Sequence, residues 1–242
     1  RSNLIKKCAF TLAEVLITLG IIGVVAALTL PTVVKNYQKH VTINRLKSAY
    51  TIINNAIEMA KSDYGNDIKD WYIPYSNDSK LKTDYFTEHY LIPYLKVVKD
   101  CNHSNTNDCR VNTIGLNGTI SQLGIGAWRL LKLSNGQAIV VFVGGVSLAE
   151  NQYNSRIEIA LLINGNKSLN QYGKDLFMIE FGGIKGTEQL NKFLPYAHGV
   201  YNDRNKYLTV THSYGCNKNA IGSGCFSLIL FDGWQIAKDY PW

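Results

Sequence analysis

The chain has 242 residues, 25 Lys and Arg against 18 Asp and Glu for a formal net charge of +7, and 46% hydrophobic residues. That length gives one domain of common size plus a long additional element, with enough apolar material for a real core. The positive excess is scattered, which disfavours nucleic acid as a partner, and the five histidines (His40, His89, His103, His198 and His212) lack H-E-x-x-H spacing. With no G-x-S-x-G or phosphate-loop motif either, the sequence offers no carrier of catalysis and predicts that the protein is not an enzyme.

The chain opens with Lys6-Lys7-Cys8-Ala9-Phe10-Thr11-Leu12-Ala13-Glu14 and continues as an apolar run to Val34. From Phe10 to Val34 only Glu14 is charged. At 1.5 Å per residue this segment reaches roughly 37 Å, enough to cross a hydrocarbon core of about 30 Å, so residues 10–34 are predicted to be a membrane-spanning helix. A carboxylate in such a segment costs roughly 2.5–3.5 kcal/mol at a helix centre and less near the headgroups, so Glu14 needs a functional reason. The cations Arg1, Lys6 and Lys7 place the amino terminus in the cytoplasm and the rest of the chain outside. Cys8 could mark a lipoprotein signal, but the lysines before it occupy positions that need small or apolar residues. Two rival readings are a secretory signal ending at Val25-Ala26-Ala27 and a plain single-span anchor. The first conflicts with Glu14 and with an apolar run longer than the usual 7–15 residues.

These residues resemble the type IV pilin and pseudopilin superfamily, whose precursors carry a short basic leader, a cleavage point before Phe, and Glu as the fifth residue beyond it. The resemblance implies that residues 1–9 are a leader, cut by a membrane-bound prepilin peptidase between Ala9 and Phe10, with methylation of the new amino terminus at Phe10. Ala9 departs from the Gly usual in that family. Removing Arg1, Lys6 and Lys7 would lower the formal charge from +7 to +4. Glu14 takes the position that attracts the amino terminus of an incoming subunit, and Gly20, Gly23 and Pro31 fall where many pilins keep helix-weakening residues. The electrostatic logic stands by itself: cleavage creates an ammonium about one turn from Glu14, and each charge needs a partner in an apolar medium. The partners implied are other copies or related pilin-like subunits in a helical filament, the prepilin peptidase, an inner-membrane assembly platform and the lipid bilayer.

Beyond Lys35 the pattern becomes amphipathic. Ile43, Leu46, Tyr50, Ile53, Ile57 and Ala60 form one stripe, so residues 35–64 continue the helix and Gly65 ends it. Residues 65–242 then form an extracytoplasmic head. Residues 66–127 are polar and poorly periodic, predicting loops and short helices, one around Asp84 to Val98, with an exposed Cys101 to Cys109 loop. From Trp128 onward the chain predicts strands: a hairpin of residues 128–133 and 137–143 around Ser134-Asn135-Gly136, then 156–163, 176–181, 207–211 and 226–231. The fold class expected is α+β, a long N-terminal helix packed on an antiparallel sheet, which is also the pilin head arrangement.

Four cysteines besides Cys8 allow three connectivities, of which the local one, Cys101 with Cys109 and Cys216 with Cys225, is expected, in an oxidising compartment. Cys101, His103 and Cys109 lack the C-x-x-C spacing of structural zinc. The stretch from Asn164 to Asp175 resembles a loop in pilin-like proteins of type II secretion, as does the closing segment from Asp232 to Trp242. Its oxygen-rich side chains could hold calcium, but it has one carboxylate and a structural turn is the preferred reading, so no cofactor is expected. Taken together, the sequence predicts a structural subunit of a type IV pilus-like or type II secretion pseudopilus filament. The alternative is a membrane-anchored extracytoplasmic binding domain that does not polymerise.

Overall fold

The computed structural model describes residues 11–144 apart from 105 and 125, then 156–181 and 191–242. The chain divides into two compact units, Arg1–Val41 and Thr42–Trp242. Helix α1, Leu12–Tyr64, begins in the first unit and ends in the second, passing through Pro31 without interruption. In the first unit every Leu, Ile and Val from Leu12 to Val34 is exposed. This helix is long and apolar enough to cross a membrane.

The second unit begins where α1 starts to bury side chains. Ile43, Leu46, Ile53, Ile57 and Ala60 are buried, and Tyr50 is half-buried with its hydroxyl donating to the Phe193 carbonyl at 2.9 Å. The expected stripe therefore packs, and its partner is a sheet. Strands β1 (Val97–Asp100), β4 (Arg129–Leu133), β5 (Ala138–Gly144), β6 (Arg156–Leu162), β8 (Leu176–Phe181) and β9 (Leu194–Pro195) form a six-stranded sheet in the order β1-β4-β5-β6-β8-β9. All its pairings are antiparallel.

Alternation divides the core between the two faces of this sheet. Leu131, Val141, Ile159 and Ile179 share a cluster with the α1 stripe, whereas Leu130, Val140, Ala160 and Met178 share a second cluster with Cys101, Cys109 and Val111. Val111 belongs to β2 (Val111–Ile114), which pairs with β3 (Ile120–Leu123) and with β7 (Asn170–Gln171) in a small three-stranded sheet. Burial on both sides explains why β5 reads Ala-Ile-Val-Val-Phe-Val rather than alternating apolar and polar. The β4–β5 hairpin closes through Leu133 and Gln137, with Gly136 at φ +81° as the left-handed residue of a three-residue loop. The expected hairpin is present, as are the strands expected at 156–163 and 176–181, the former ending at Leu162.

Three expectations need correction. The segments 207–211 and 226–231 are not strands: residues 207–209 end the helix α3 (Arg204–Thr209), with Val210 as its extended C-cap, and 226–231 lie within α4 (Cys225–Phe231). The second is a short run whose residues Cys225 to Ile229 are all buried, and a buried run of this length shows no periodicity that separates strand from helix. The helix expected at 84–98 is α2, Ser79–Tyr90, capped by Asp78 accepting from the Lys80 N–H at 2.8 Å and followed by a 3₁₀ turn, Ile92–Tyr94, and by β1. Residues 66–127 also hold β1, β2 and β3, four residues each, too short and too polar to show an alternating pattern.

Candidate functional site

Ala9 and Phe10 lie outside the described residues, so the candidate site begins at Thr11. Thr11, Leu12, Ala13 and Glu14 make a reciprocal capping box. The Glu14 carboxylate oxygen Oε2 accepts from the Thr11 backbone N–H at 2.8 Å and from its hydroxyl at 2.9 Å, and the Glu14 N–H donates to Thr11 Oγ1 at 3.2 Å. Two of the orphan amides at the head of α1 are thereby satisfied. Two hydroxyls farther along are satisfied inside the helix as well: Thr18 donates to the Glu14 carbonyl and Thr29 to the Val25 carbonyl, both at 2.9 Å. With these polar groups closed locally, the segment offers its surroundings an apolar surface and one carboxylate.

Gly20 and Gly23 are not required by packing within the chain, since a Cβ at either would meet nothing within 4 Å. Both leave a notch in an exposed apolar surface. Pro31 sits within α1 and, lacking an N–H, removes one backbone hydrogen bond there.

The head holds the cysteines. Cys101 pairs with Cys109 at a Cα separation of 5.5 Å, and Cys216 with Cys225 at 4.7 Å. His103, inside the first disulfide loop, has its Nδ1 3.0 Å from the Trp128 carbonyl and its Nε2 2.6 Å from Asp84 Oδ1, so both ring nitrogens are engaged. The same Asp84 receives Arg129 NH1 at 2.9 Å, which also donates to Glu88 at 2.8 Å, while Arg129 Nε donates to Asp100 at 3.0 Å. Arg129 is 2% exposed, and this one guanidinium ties α2, β1 and β4 together. Sequence reading did not single it out. An arginine at the head of an apolar strand, with carboxylates on the preceding helix, is the signal that could have found it.

A second charged group lies across β6 and β8, where the half-buried Glu158 stands opposite the buried Glu180. Arg156 pairs with both carboxylates: its Nε lies 2.7 Å from Glu158 without the alignment of a hydrogen bond, its NH2 donates to Glu180 at 3.2 Å, and the guanidinium lies over the Tyr196 ring at 5.1 Å. The Ala197 N–H donates to the other Glu180 oxygen at 3.0 Å. Burial pushes the Glu158 carboxyl above its ordinary range, Arg156 pulls it back and Glu180 adds to the rise. Each acid already has a structural partner.

The Asn164 to Asp175 loop is held by its own side chains. Asp175 Oδ1 receives both Lys167 Nζ and Asn164 Nδ2 at 2.8 Å, and Asn166 donates to the Arg110 carbonyl at 3.0 Å. An ammonium of the chain thus occupies the loop's carboxylate. Among the described residues no group of three or more His, Cys, Asp or Glu is arranged to hold a metal.

Residues 32–242 match the family described as "Family of unknown function (DUF6613)". No curated protein and no solved structure matches the chain.

Proposed function

The chain belongs to that family of unknown function, and from its own residues we propose that it is a filament-forming subunit of the type IV pilin and pseudopilin kind. In this reading it is inserted with its amino terminus in the cytoplasm, cut between Ala9 and Phe10, methylated at Phe10, and assembled through α1 into a helical filament that carries the heads outward. The observation that carries the proposal is the pattern of the first unit: a basic leader, a carboxylate at the fifth position after Ala9, and a helix whose large apolar side chains from Leu12 to Val34 all face outward. A surface of that size is costly in water and needs lipid or neighbouring helices around it. The two local disulfides fit a head held in an oxidising compartment.

Two uses of such a filament follow from the same logic, a surface pilus and a periplasmic pseudopilus that drives secretion. The similarity of the 164–175 loop and the closing segment to pilin-like proteins of type II secretion favours the second. The test is mass spectrometry of the amino terminus, on membranes and on material sheared from cells. A peptide starting at N-methylated Phe10 supports the proposal, its abundance in sheared material indicating a pilus and its confinement to membranes a pseudopilus. A chain starting at Leu28, or one that retains its leader uncut, contradicts it.

A further inference from the structure

Among the described residues the two sheets end in four edge strands, β1 and β9 of the large sheet and β3 and β7 of the small one. An open edge presents unpaired N–H and C=O groups that another strand can join, so edges are normally blunted by charge, proline, a bulge or shortness. Three of these four are blunted in this way. β1 carries Lys99 and Asp100 and shifts register between Val97 and Lys99, β9 is two residues long and contains Pro195, and β7 is two residues long. β3 has none of these devices. Its four residues pair with β2 in unbroken register, and from Val111 to Trp128 the chain has no Asp, Glu, Lys, Arg or His. Ile120 is 72% exposed, and Ser121 and Gln122 are exposed as well.

The register assigns the outward groups. The Gly115 N–H donates to the Thr119 carbonyl at 2.8 Å, and hydrogen-bonded pairs alternate along an antiparallel ladder, so Thr113 and Ser121 form the next one. Ile120 and Gln122 therefore aim their backbone N–H and C=O groups away from β2. Outward groups on two residues flanking a third are self-complementary. With a two-fold axis at Ser121, Ile120 of each copy exchanges both hydrogen bonds with Gln122 of the other. No side chain on this edge is charged, so a copy meets no like charge in its partner. We propose that β3 pairs antiparallel with β3 of a second copy of this chain, joining the two small sheets into one of six strands. The contact is isologous and closes after two copies, so it is separate from the helix packing proposed above for a filament and does not rest on it. So short an edge buries little area, which makes the contact weak and favoured by high local density.

The experiment uses the detergent-solubilised full chain carrying Cys8→Ser, which leaves Cys101, Cys109, Cys216 and Cys225 in their disulfides. Ile120→Cys, Ser121→Cys and Gln122→Cys are each oxidised over a range of concentrations. In the proposed pairing Ser121 faces its own counterpart at about 4.5 Å between Cα atoms, within disulfide reach, whereas Ile120 faces Gln122. Ser121→Cys is expected to give several-fold more disulfide-linked dimer than either neighbour. Adding Gln122→Pro, which takes away an outward N–H and leaves the bonds to β2, should abolish that cross-link with the circular dichroism of the head unchanged. Equal cross-linking at the three positions marks random collision and overturns the proposal, as does a cross-link that survives Gln122→Pro or the absence of any. The wild type gives a second reading: hydrogen exchange at the Ile120 and Gln122 amides should slow several-fold as its concentration rises, and exchange independent of concentration overturns the pairing.

Discussion

Four residues, Glu14, Arg129, Asp100 and Glu158, dominate the electrostatics of the chain. Glu14 closes a capping box with Thr11, so part of its presence is accounted for by local helix chemistry alone. Thr11→Ala leaves the carboxylate in place but removes its hydroxyl partner, and is expected to fray the first turn at a cost of about 1 kcal/mol. Amide hydrogen exchange at residues 12–15 of the detergent-solubilised chain measures this, and unchanged exchange contradicts it. Arg129 is a different case: its guanidinium is buried and serves three carboxylates, so Arg129→Met leaves them facing one another and should destabilise the head by about 3–5 kcal/mol in chemical denaturation. Burial acts to raise the Asp100 carboxyl, but the hydrogen bonds from Arg129 and from the Asn102 N–H outweigh it and hold it below the usual range. A depressed carboxylate stabilises the fold above its unfolded pKa and loses that contribution as pH falls through the folded value. Acid destabilisation from Asp100 is therefore expected below about pH 4. Glu158 has the opposite sign. Its raised folded pKa means that stability falls as pH climbs from about 4.3 through the folded value. Comparing the wild type with Glu158→Gln from pH 4 to 7 should show that fall only in the wild type, and parallel curves would contradict the assignment.

At the scale of elements, α1 was the most legible part of the chain, because both its periodicities are strong: unbroken apolar residues to Val34, then a stripe at three-and-four spacing. The hairpin around Gly136 was legible from its turn residue and the β-branched run of β5, and β6 and β8 from short apolar and aromatic runs of strand length. α3 and α4 were misread as strands. For α3 the missed signal was Asp203, whose side chain accepts from the Asn205 N–H at 2.9 Å as an N-cap. For α4 no periodic signal existed, since Cys225 to Ile229 are buried whichever way they face, and the Cys216 disulfide holds its first residue. The strands β1 to β3 depend on pairing partners distant in sequence, as β2 does with β7, so local propensity could not reveal them. Removing the second disulfide by Cys216→Ser with Cys225→Ser should cost about 2–5 kcal/mol of head stability, measured by denaturation with and without reductant. A variant as stable as the oxidised wild type would show that α4 packing suffices.

At the scale of the whole chain, one helix combines two solvation regimes. From Leu12 to Val34 its apolar side chains face outward, while from Ile43 onward they are buried against a sheet. Ile53, fully buried in the head cluster, marks the second regime, and Ile53→Ala is expected to destabilise the head by about 2–5 kcal/mol without altering membrane insertion. The first regime was readable from the sequence because hydropathy alone specifies it. The candidate site was readable only in part. Glu14 stands out as an unusual charge, and the Thr-x-x-Glu capping signature that ties it to Thr11 was present in the sequence but not singled out, whereas the free space around Gly20 and Gly23 follows only from the folded chain. The most direct test of assembly through this helix is the fraction of Glu14→Ala subunit found in filaments, relative to wild type, with the membrane fraction measured in the same cells. The account predicts a variant that accumulates in the membrane and is lost from filaments; incorporation at the wild-type level would contradict it.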